Sequence, residues 1–359
     1  MKVGIIGSHG LYAKYGGWDQ LVNNLAENAS PSCEFIIFNP KETPIKKNTI
    51  PKNVQVISIF LSASGFAGLL FDFISIFIAS LYCKKIFLLG LKGMPAAIIV
   101  KIISFNKIKL ISNIGGIEWE RPQFSWIQKR YLKFCFHLAN KFCNKIVLDN
   151  EHYLRFYKED VESRKKLCLI PYGGTIDTSI SKDDSYLVKK YPFLKFNYFL
   201  SVGRSIEDNM LDELCTYFKK KPKANLVLIS NFSNSIYGRH MLQKFSSFPN
   251  IFLIDGLYVK SELDFLRRCC HAYIHTHTLC GSAPSLIEMM IAKRPILSID
   301  VPQNRFTLKG CGFLFKEFNI LDGLLHQEDL SDYICSTSVA SLYEWPNIVS
   351  QYQNCFHEA

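Results

Sequence analysis

The stretch "HAYIHTHTLCGSAPSLIEMM", residues 271–290, reads as a strand, a polar loop and the start of a helix. "HAYIHTH" has the composition of a buried strand, "TLCG" through Gly281 is a loop, and "SLIEMMIAK" at 285–293 places apolar side chains at helical spacing. Pro284 suits the first helical position, where a missing N–H costs nothing, and Ser282 before it is expected to be the N-cap. Such a helix would present backbone N–H groups around Pro284, Ser285 and Leu286 together with the positive end of its dipole. That is an anion site, and phosphate is its natural ligand. Glu288 follows one turn later, within reach of the vicinal hydroxyls of a ribose held beside that phosphate. Phosphate and diol together point to a nucleotide.

Outward from this stretch the same alternation continues in both directions. "KVGIIG", "CEFIIFN", "VQVISIF", "KKIFLLG", "IKLISNIGG", "KIVLDN" and "KLCLIPYGG" read as strands of a first half. "YFLSVGR", "ANLVLISN", "IFLIDGL", "HAYIHTH", "RPILSID" and "GFLFK" read as strands of a second, with helical patterns between them. The expected fold class is α/β with two doubly wound, Rossmann-like domains that bind ligands in a crevice at the carboxyl ends of their strands. A chain of 359 residues is long enough for both cores, and "IPYGG" near residue 175 is the expected boundary.

Two further stretches suit an anionic or close-packed ligand. In "SVGRSIEDN" the strand ends at Val202, Gly203 lets the chain turn, and Arg204 projects into the crevice as a fork able to bind a diphosphate with two bonds. "GSHGLYAKYGGWDQLV" places Gly16 and Gly17 before a helix, where backbone can approach a ligand, although it lacks the G-x-G-x-x-G spacing of a dinucleotide fold. His275 and His277 at a strand end either touch a ligand or hydrogen-bond a neighbouring loop.

Hydrophobic residues make up 48% of the chain and aromatics 14%, which excludes a disordered protein. Twelve cysteines include no C-x-x-C pair and no zinc-ligand spacing, so the thiols are expected to be reduced, no metal is expected, and no export signal is read at "MKVGIIG". The expected compartment is therefore the cytoplasm. Net charge is +11, and all of the excess lies in residues 1–175, which hold 23 Lys and Arg against 12 Asp and Glu, while residues 176–359 hold 19 of each. That basic half suits anionic lipid or a phosphorylated substrate, or is a solvated face. No recognition-helix or RNP-like pattern supports nucleic acid.

Two helical patterns in that half bear on a membrane. Between Asn53 and Cys83 the only charged residue is Asp72, and a core helix is preferred to a membrane span because the run is short and carries an aspartate mid-way. "SWIQKRYLKFCFHLANKF", residues 125–142, mixes Lys129, Arg130, Lys133 and Lys141 with aromatics, as a helix resting on a bilayer would, or one packed on the sheet with snorkelling lysines.

Taken together these motifs resemble glycosyltransferase family 4, of GT-B fold, and within it the bacterial polysaccharide subgroup that includes rhamnosyltransferases. "GSHGLYAKYGGWDQ" is similar to the subgroup's G-T-R-G-I-P-A-x-Y-G-G-F-E, and "NIGGIEWER" to N-x-D-G-x-E-W-x-R. Asp149-Asn150, "IPYG", "HTHTLCGSAPSLIE" and "DVPQNRFT" continue the match, and "YEWPNIVSQYQNCF" looks like the family's terminal helix. The resemblance implies an N-terminal acceptor-side domain at 1–175, a nucleotide-sugar-binding domain at 176–340, and a terminal helix at 341–359 that returns to the first domain. It implies retaining transfer of a hexose or deoxyhexose, from dTDP-rhamnose or a UDP-sugar, to a growing lipid-linked surface glycan such as O-antigen or capsule, without a metal or other cofactor. Arg204, Asn209, His277, Gly281, Ser282, Pro284, Ser285, Leu286 and Glu288 would face the donor. His9, Gly16, Gly17 and Trp18 would form the acceptor-side or diphosphate loop, and Glu118 is the catalytic candidate. The implied location is cytoplasmic, peripheral on the inner face of the membrane.

Three positions depart from the family pattern. Cys280 stands where the wider family has the first of two glutamates, Asn209 where a phosphate-binding lysine is usual, and Gly115 where the subgroup has an aspartate. With that carboxylate gone, proton transfer falls to Glu118 or to the departing phosphate oxygen. Gly115 and Cys280 also raise a reading of another class, a catalytically silent GT-B scaffold that binds a glycan or a partner enzyme.

Overall fold

Short runs that are apolar at nearly every position are the mark of parallel strands covered on both faces. In the computed structural model the runs of the first half form one seven-stranded parallel sheet. Its strands are β1 (Lys2–Ile6), β2 (Glu34–Pro40), β3 (Val54–Ile59), β4 (Lys85–Leu89), β5 (Lys109–Asn113), β6 (Lys145–Leu148) and β7 (Leu167–Leu169). They lie in the order β3-β2-β1-β4-β5-β6-β7. The second half contributes β8 (Tyr198–Val202), β9 (Asn225–Ser230), β10 (Ile251–Asp255), β11 (Ala272–His275), β12 (Ile296–Ile299) and β13 (Phe313–Phe315). These form a parallel sheet in the order β10-β9-β8-β11-β12-β13. The structure describes residues 1–13, 16–43, 49–116, 118–120, 124–157, 161–181 and 184–359, without the side chains of residues 118, 161 and 162.

Two compact units result, residues 1–172 with 345–359, and residues 173–344. The division falls at 172/173 and 344/345, a few residues from the positions 175 and 340 read from sequence. The first unit carries helices α1 (Gly17–Asn28), α2 (Gly65–Tyr82), α3 (Met94–Ile103), α4 (Trp126–Phe142) and the short α5 (Val161–Lys165). The second carries α6 (Ser185–Lys190), α7 (Leu211–Lys219), α8 (Ile236–Phe245), α9 (Lys260–Cys269), α10 (Pro284–Ile291), α11 (Pro302–Leu308) and α12 (Thr337–Ser341). The last helix, α13 (Trp345–Glu358), packs with the first unit.

Because alternate strand residues point to opposite faces, the first sheet feeds two cores. Ile6, Ile36, Leu88 and Leu110 pack with Phe71, Met94 and Phe136 of α2, α3 and α4. Val3, Ile5, Phe35 and Phe87 pack instead with Leu21 and Val22 of α1 and with Tyr352 and Phe356 of α13. The Phe87 ring lies 5.1 Å from Phe356 and 5.6 Å from Tyr352. Each such fully buried ring contributes about 1.5–3 kcal/mol relative to exposure, so the terminal helix is part of this core.

Helix α2 departs from the expectation of a core helix. Its 18 residues, of mean hydropathy 1.8, are long and apolar enough to cross a membrane by length and composition alone, and one third of them is buried. The inward face is Gly68, Phe71, Asp72, Ser75, Ile76 and Ala79. A Cβ on Gly4 of β1 would lie 2.8 Å from the Ala79 Cβ, so this glycine sets how closely the helix sits on the sheet, while one on Gly68 would lie 2.2 Å from the Ala63 carbonyl oxygen in the turn before the helix. Asp72 is buried beneath it, with Lys92 Nζ at 3.1 Å.

Burial raises the Asp72 carboxyl above its ordinary range, against the pull of Lys92. A carboxyl whose folded-state pKa is raised costs stability while ionised, and stability is regained as pH falls toward that pKa. Asp72→Asn should therefore be at least as stable as the parent at pH 8, where the buried carboxylate is charged. In urea unfolding its advantage should shrink toward pH 5. A parent that is the more stable at pH 8, and weakens on acidification, would mean that the Lys92 pair outweighs burial.

Candidate functional site

In the second unit the strand order turns back on itself between β8 and β11, which stand side by side although far apart in sequence. Helices leave such a pair on opposite faces of the sheet and open a gap at the carboxyl ends. Gly203 and Arg204 follow β8 there, His277 follows β11, and α10 starts beyond it.

The two loops are drawn together without space for a side chain at residue 203. A Cβ on Gly203 would lie 2.3 Å from His277 Nε2 and 3.3 Å from Asn209 Nδ2. Thr276 donates its hydroxyl to the Asn209 carbonyl at 2.5 Å, and Thr278 donates its N–H to the Asp208 carbonyl at 3.0 Å. Asn209, placed by sequence among donor contacts, is buried and donates its amide to the Arg204 carbonyl at 2.8 Å. Its side chain thus fixes the loop that carries Arg204 and cannot replace the charge of a lysine. The Arg204 side chain is exposed and makes no hydrogen bond or ion pair among the described residues.

His275 and His277 lie ring to ring, 4.3 Å between centroids, and both are buried. Burial, reinforced by the nearby charge of Arg204, pushes the His277 pKa down to about 3. Burial, with His277 beside it, holds His275 well below the usual value. Both imidazoles are neutral near pH 7, and the Nε2 of each is buried without a partner. The His277 carbonyl accepts the Asn304 amide at 3.1 Å, which gives the asparagine of "DVPQNRFT" its place in the site.

The tip of α10 differs in detail from the sequence reading. The N-cap is Ala283, not Ser282, and no side chain caps it. Proline takes the first helical position, so the cap is the residue directly before it. Ser282 and Gly281 are buried behind the tip. Leu286 is a core residue whose N–H, like that of Ile287, points to the Ala283 carbonyl at 3.1 Å, so it offers no free donor. Pro284 and the Ser285 N–H form the partly exposed tip.

Glu288 is 7% exposed and lies in a charge network that sequence reading missed. Arg267, itself 3% exposed, donates to Glu288 Oε2 and, at 2.6 Å, to Asp264 Oδ1. Lys260 Nζ lies 2.7 Å from Asp264 Oδ2 and 3.9 Å from Glu288 Oε1. Burial raises the Glu288 pKa, opposed by Arg267 and Lys260. The helical i,i+3 spacing of Asp264 and Arg267 was a usable signal for their pairing, but nothing in sequence linked either to residue 288.

At the carboxyl ends of the first sheet, buried Asp19 ties two of the predicted residues together. Its carboxylate accepts the His9 N–H at 2.9 Å and the Gly16 N–H at 3.1 Å, with His9 Nδ1 at 3.5 Å. Tyr172 of "IPYG" donates its hydroxyl to the Gly17 carbonyl at 2.8 Å. Trp18 covers two glycines at positive φ, Gly90 and Gly115, where a Cβ would lie 2.8 and 2.4 Å from its ring. The indole thus stands where a side chain at residue 115 would project. Glu118 begins a single 3-10 turn, Glu118–Glu120, and its side chain lies outside the described residues.

A family profile described as a domain of unknown function, DUF1972, matches residues 1–175. No curated protein matches the chain. Among solved structures, HepE of Anabaena in complex with UDP is similar at 16% identity, with a TM-score of 0.73 over 100% of both chains. The same protein in complex with UDP-glucose gives 14% identity and a TM-score of 0.73, again over 100% of both chains. Sucrose-phosphate synthase of Thermosynechococcus elongatus gives 16% identity and a TM-score of 0.77 over 99% of this chain and 98% of that one. At such identities the likeness is one of fold, and the fold is GT-B, two Rossmann-like parallel-sheet units.

If Trp18 is what excludes a carboxylate at position 115, Gly115→Asp should cost roughly 1–3 kcal/mol by overpacking, with a further loss from its positive φ. Adding Trp18→Phe should restore part of that stability. Thermal unfolding of the two single variants and the double variant checks this, and strictly additive losses would show that the indole is not the obstacle.

Proposed function

We propose that the protein is a retaining glycosyltransferase of family 4 that moves a sugar from a nucleotide-sugar donor to a lipid-linked bacterial glycan. The observation that carries the reading is an exposed Arg204, unpaired among the described residues, beside a buried neutral His277 at the strand reversal of a Rossmann-like sheet, with the α10 tip following the same strand as His277. The same fold holds UDP and UDP-glucose in HepE, and dTDP-rhamnose or a UDP-sugar is the proposed donor.

Each residue then has a physical task. Arg204 binds the diphosphate with two charge-assisted bonds and stabilises the charge that grows on it as the glycosidic bond breaks. The Ser285 N–H adds a donor at the positive end of α10. His277, kept neutral, offers Nε2 to the donor without adding charge. Glu288 faces the ribose hydroxyls from a carboxylate whose orientation Arg267 sets. Acceptor contacts belong to His9, Gly16, Gly17 and Trp18. The leaving phosphate oxygen takes the acceptor proton on the same face of the sugar, so that the protein supplies orientation and electrostatics. No metal is assigned a part in this scheme. A lipid-linked acceptor and the basic first unit together favour a location on the cytoplasmic face of an anionic membrane.

Titration calorimetry with dTDP-rhamnose, UDP-glucose and UDP-galactose tests the donor site. One of them should bind, and Arg204→Ala should weaken it by about 1.5–3 kcal/mol, roughly 10- to 150-fold, with the fold intact. A parent that binds none of the donors would favour the silent scaffold. For the chemistry, Glu118→Gln at saturating substrates should change turnover only a few-fold if phosphate is the base. A loss of ~10²–10⁴-fold with unchanged donor affinity would instead assign the proton to Glu118.

A further inference from the structure

Helix α2 is turned the opposite way from a helix of a water-soluble domain. Its inward face holds Gly68, Asp72, Ser75 and Ala79 beside Phe71 and Ile76. Its outward face holds Phe66, Leu70, Ile74, Phe77 and Leu81, spaced four, four, three and four residues apart and 40–79% exposed. An amphipathic helix in water puts its apolar stripe on the core. Beside it the outer side of α3 exposes Ile99, Ile102 and Ile103, and a groove of about 430 Å³ lined by Phe77, Leu81, Val100, Ile103 and Ile108 joins the two helices. Single exposed apolar residues need no explanation, but a continuous stripe across two neighbouring helices does.

We propose that this outer face of α2 and α3 lies in the headgroup and acyl boundary of an anionic bilayer, with α2 flat in the membrane plane and α4 supplying the cations. The proposal rests on the reading of a lipid-linked acceptor and names the surface that meets the lipid. Charge decides the occupant. From Phe60 to Gly116 the only acidic residue is Asp72, which is buried against Lys92, and from Phe124 to Leu148 there is none. Exposed Lys84 and Lys107 follow the ends of α2 and α3, and Arg130, Lys133 and Lys141 stand out from α4. A second copy of this face would set cations against cations, whereas anionic headgroups complement them. Trp126, 68% exposed with the Arg130 guanidinium 4.8 Å from its ring centroid, is an aromatic and cation pair of the kind that suits the headgroup layer.

The same contacts argue against α2 crossing the bilayer. To span, it would have to leave the sheet, strand Asp72 in hydrocarbon away from Lys92, and uncover the core face of β1 and β4. Lying flat, it keeps that packing and immerses only the stripe, to a depth of about 5–10 Å.

Flotation of the full-length protein with vesicles of phosphatidylcholine alone, and of equimolar phosphatidylcholine and phosphatidylglycerol, tests the surface. Binding should favour the second vesicle. The combined variant Leu70→Gln, Ile74→Gln, Phe77→Gln and Leu81→Gln should bind at least ~tenfold less with an unchanged circular-dichroism melt. Arg130→Glu, Lys133→Glu and Lys141→Glu together should abolish the preference for phosphatidylglycerol. Because four changes on one helix can disturb folding, quenching of Trp126 by acyl-brominated phosphatidylglycerol, with Trp126→Phe as control, gives a second reading on the unaltered helix. Undiminished binding of the stripe variant, Trp126 emission indifferent to brominated lipid, or a dimer in sedimentation that the stripe variant dissociates without any vesicle binding would each overturn the proposal. Donor calorimetry on the same samples separates the two readings. Lost flotation with intact donor binding removes the surface alone, and absent donor binding with intact flotation removes the glycosyl-transfer reading alone.

Discussion

The candidate donor site depends on there being no Cβ at residue 203. With His277 Nε2 lying 2.3 Å from where that atom would be, any other residue would force the buried His277 ring out of its place between the loops that follow β8 and β11. Their contact is what the Thr276 to Asn209 and Thr278 to Asp208 hydrogen bonds hold in register. Each such bond contributes about 0.5–1.5 kcal/mol net, less than a steric clash at residue 203 would cost. The glycine comes first and the bonds follow from it. The backbone that carries Arg204 is thereby fixed beside a buried, neutral imidazole, so that in the proposed donor site the exposed Arg204 side chain is the part left to be ordered.

The first unit uses the same device with a different filling. Gly90 and Gly115, both at positive φ, leave a slot at the carboxyl ends of β4 and β5, and Trp18 occupies it. A bulky, half-buried aromatic fills the space that a side chain at residue 115 would need, so the glycine at residue 115 and the tryptophan at residue 18 are two sides of one packing arrangement. Beside it the Asp19 carboxylate fixes the backbone of both His9 and Gly16.

How much of this could be read from the sequence follows the range of each interaction. The thirteen strands of the described residues were legible because mostly apolar runs, three to seven residues long in the fold, leave little alternative, and α10 was legible from Pro284 and its apolar spacing. The N-cap was misplaced by one residue, since a serine is the better cap in general but the position of Pro284 makes the choice. Asp19 as the anchor of His9, and Arg267 as the partner of Glu288, were invisible because tertiary proximity alone brings them together across 10 and 21 residues. Helix α2 was half legible. Its apolar content marked a helix, but when both faces are apolar, composition cannot say which one the sheet takes. Ala79, against Gly4 of β1, decides that by allowing the closer approach.

Two places in the chain invert the usual distribution of polar and apolar groups, and they do so for different reasons. Lys260, Asp264 and Glu288 gather three ionisable groups around the Arg267 guanidinium, which is 3% exposed. Burying charges costs several kcal/mol per ion, and even good pairing returns little net stability. A tightly packed apolar cluster would serve the fold as well, so the network is best explained by what it does for Glu288, whose carboxylate it holds at one orientation one turn behind the α10 tip. On α2 the inversion runs the other way, with Gly68, Asp72, Ser75 and Ala79 sharing the inside with Phe71 and Ile76 while five large apolar residues stand outside. Exposed stripes of that size are unfavourable in water and add nothing to the sheet they face away from, so their free energy is recovered only where water is absent. Fold stability explains neither feature. Each sits where the proposed chemistry needs a group that folding alone would have placed elsewhere, a fixed carboxylate beside the nucleotide and an apolar face beside the lipid.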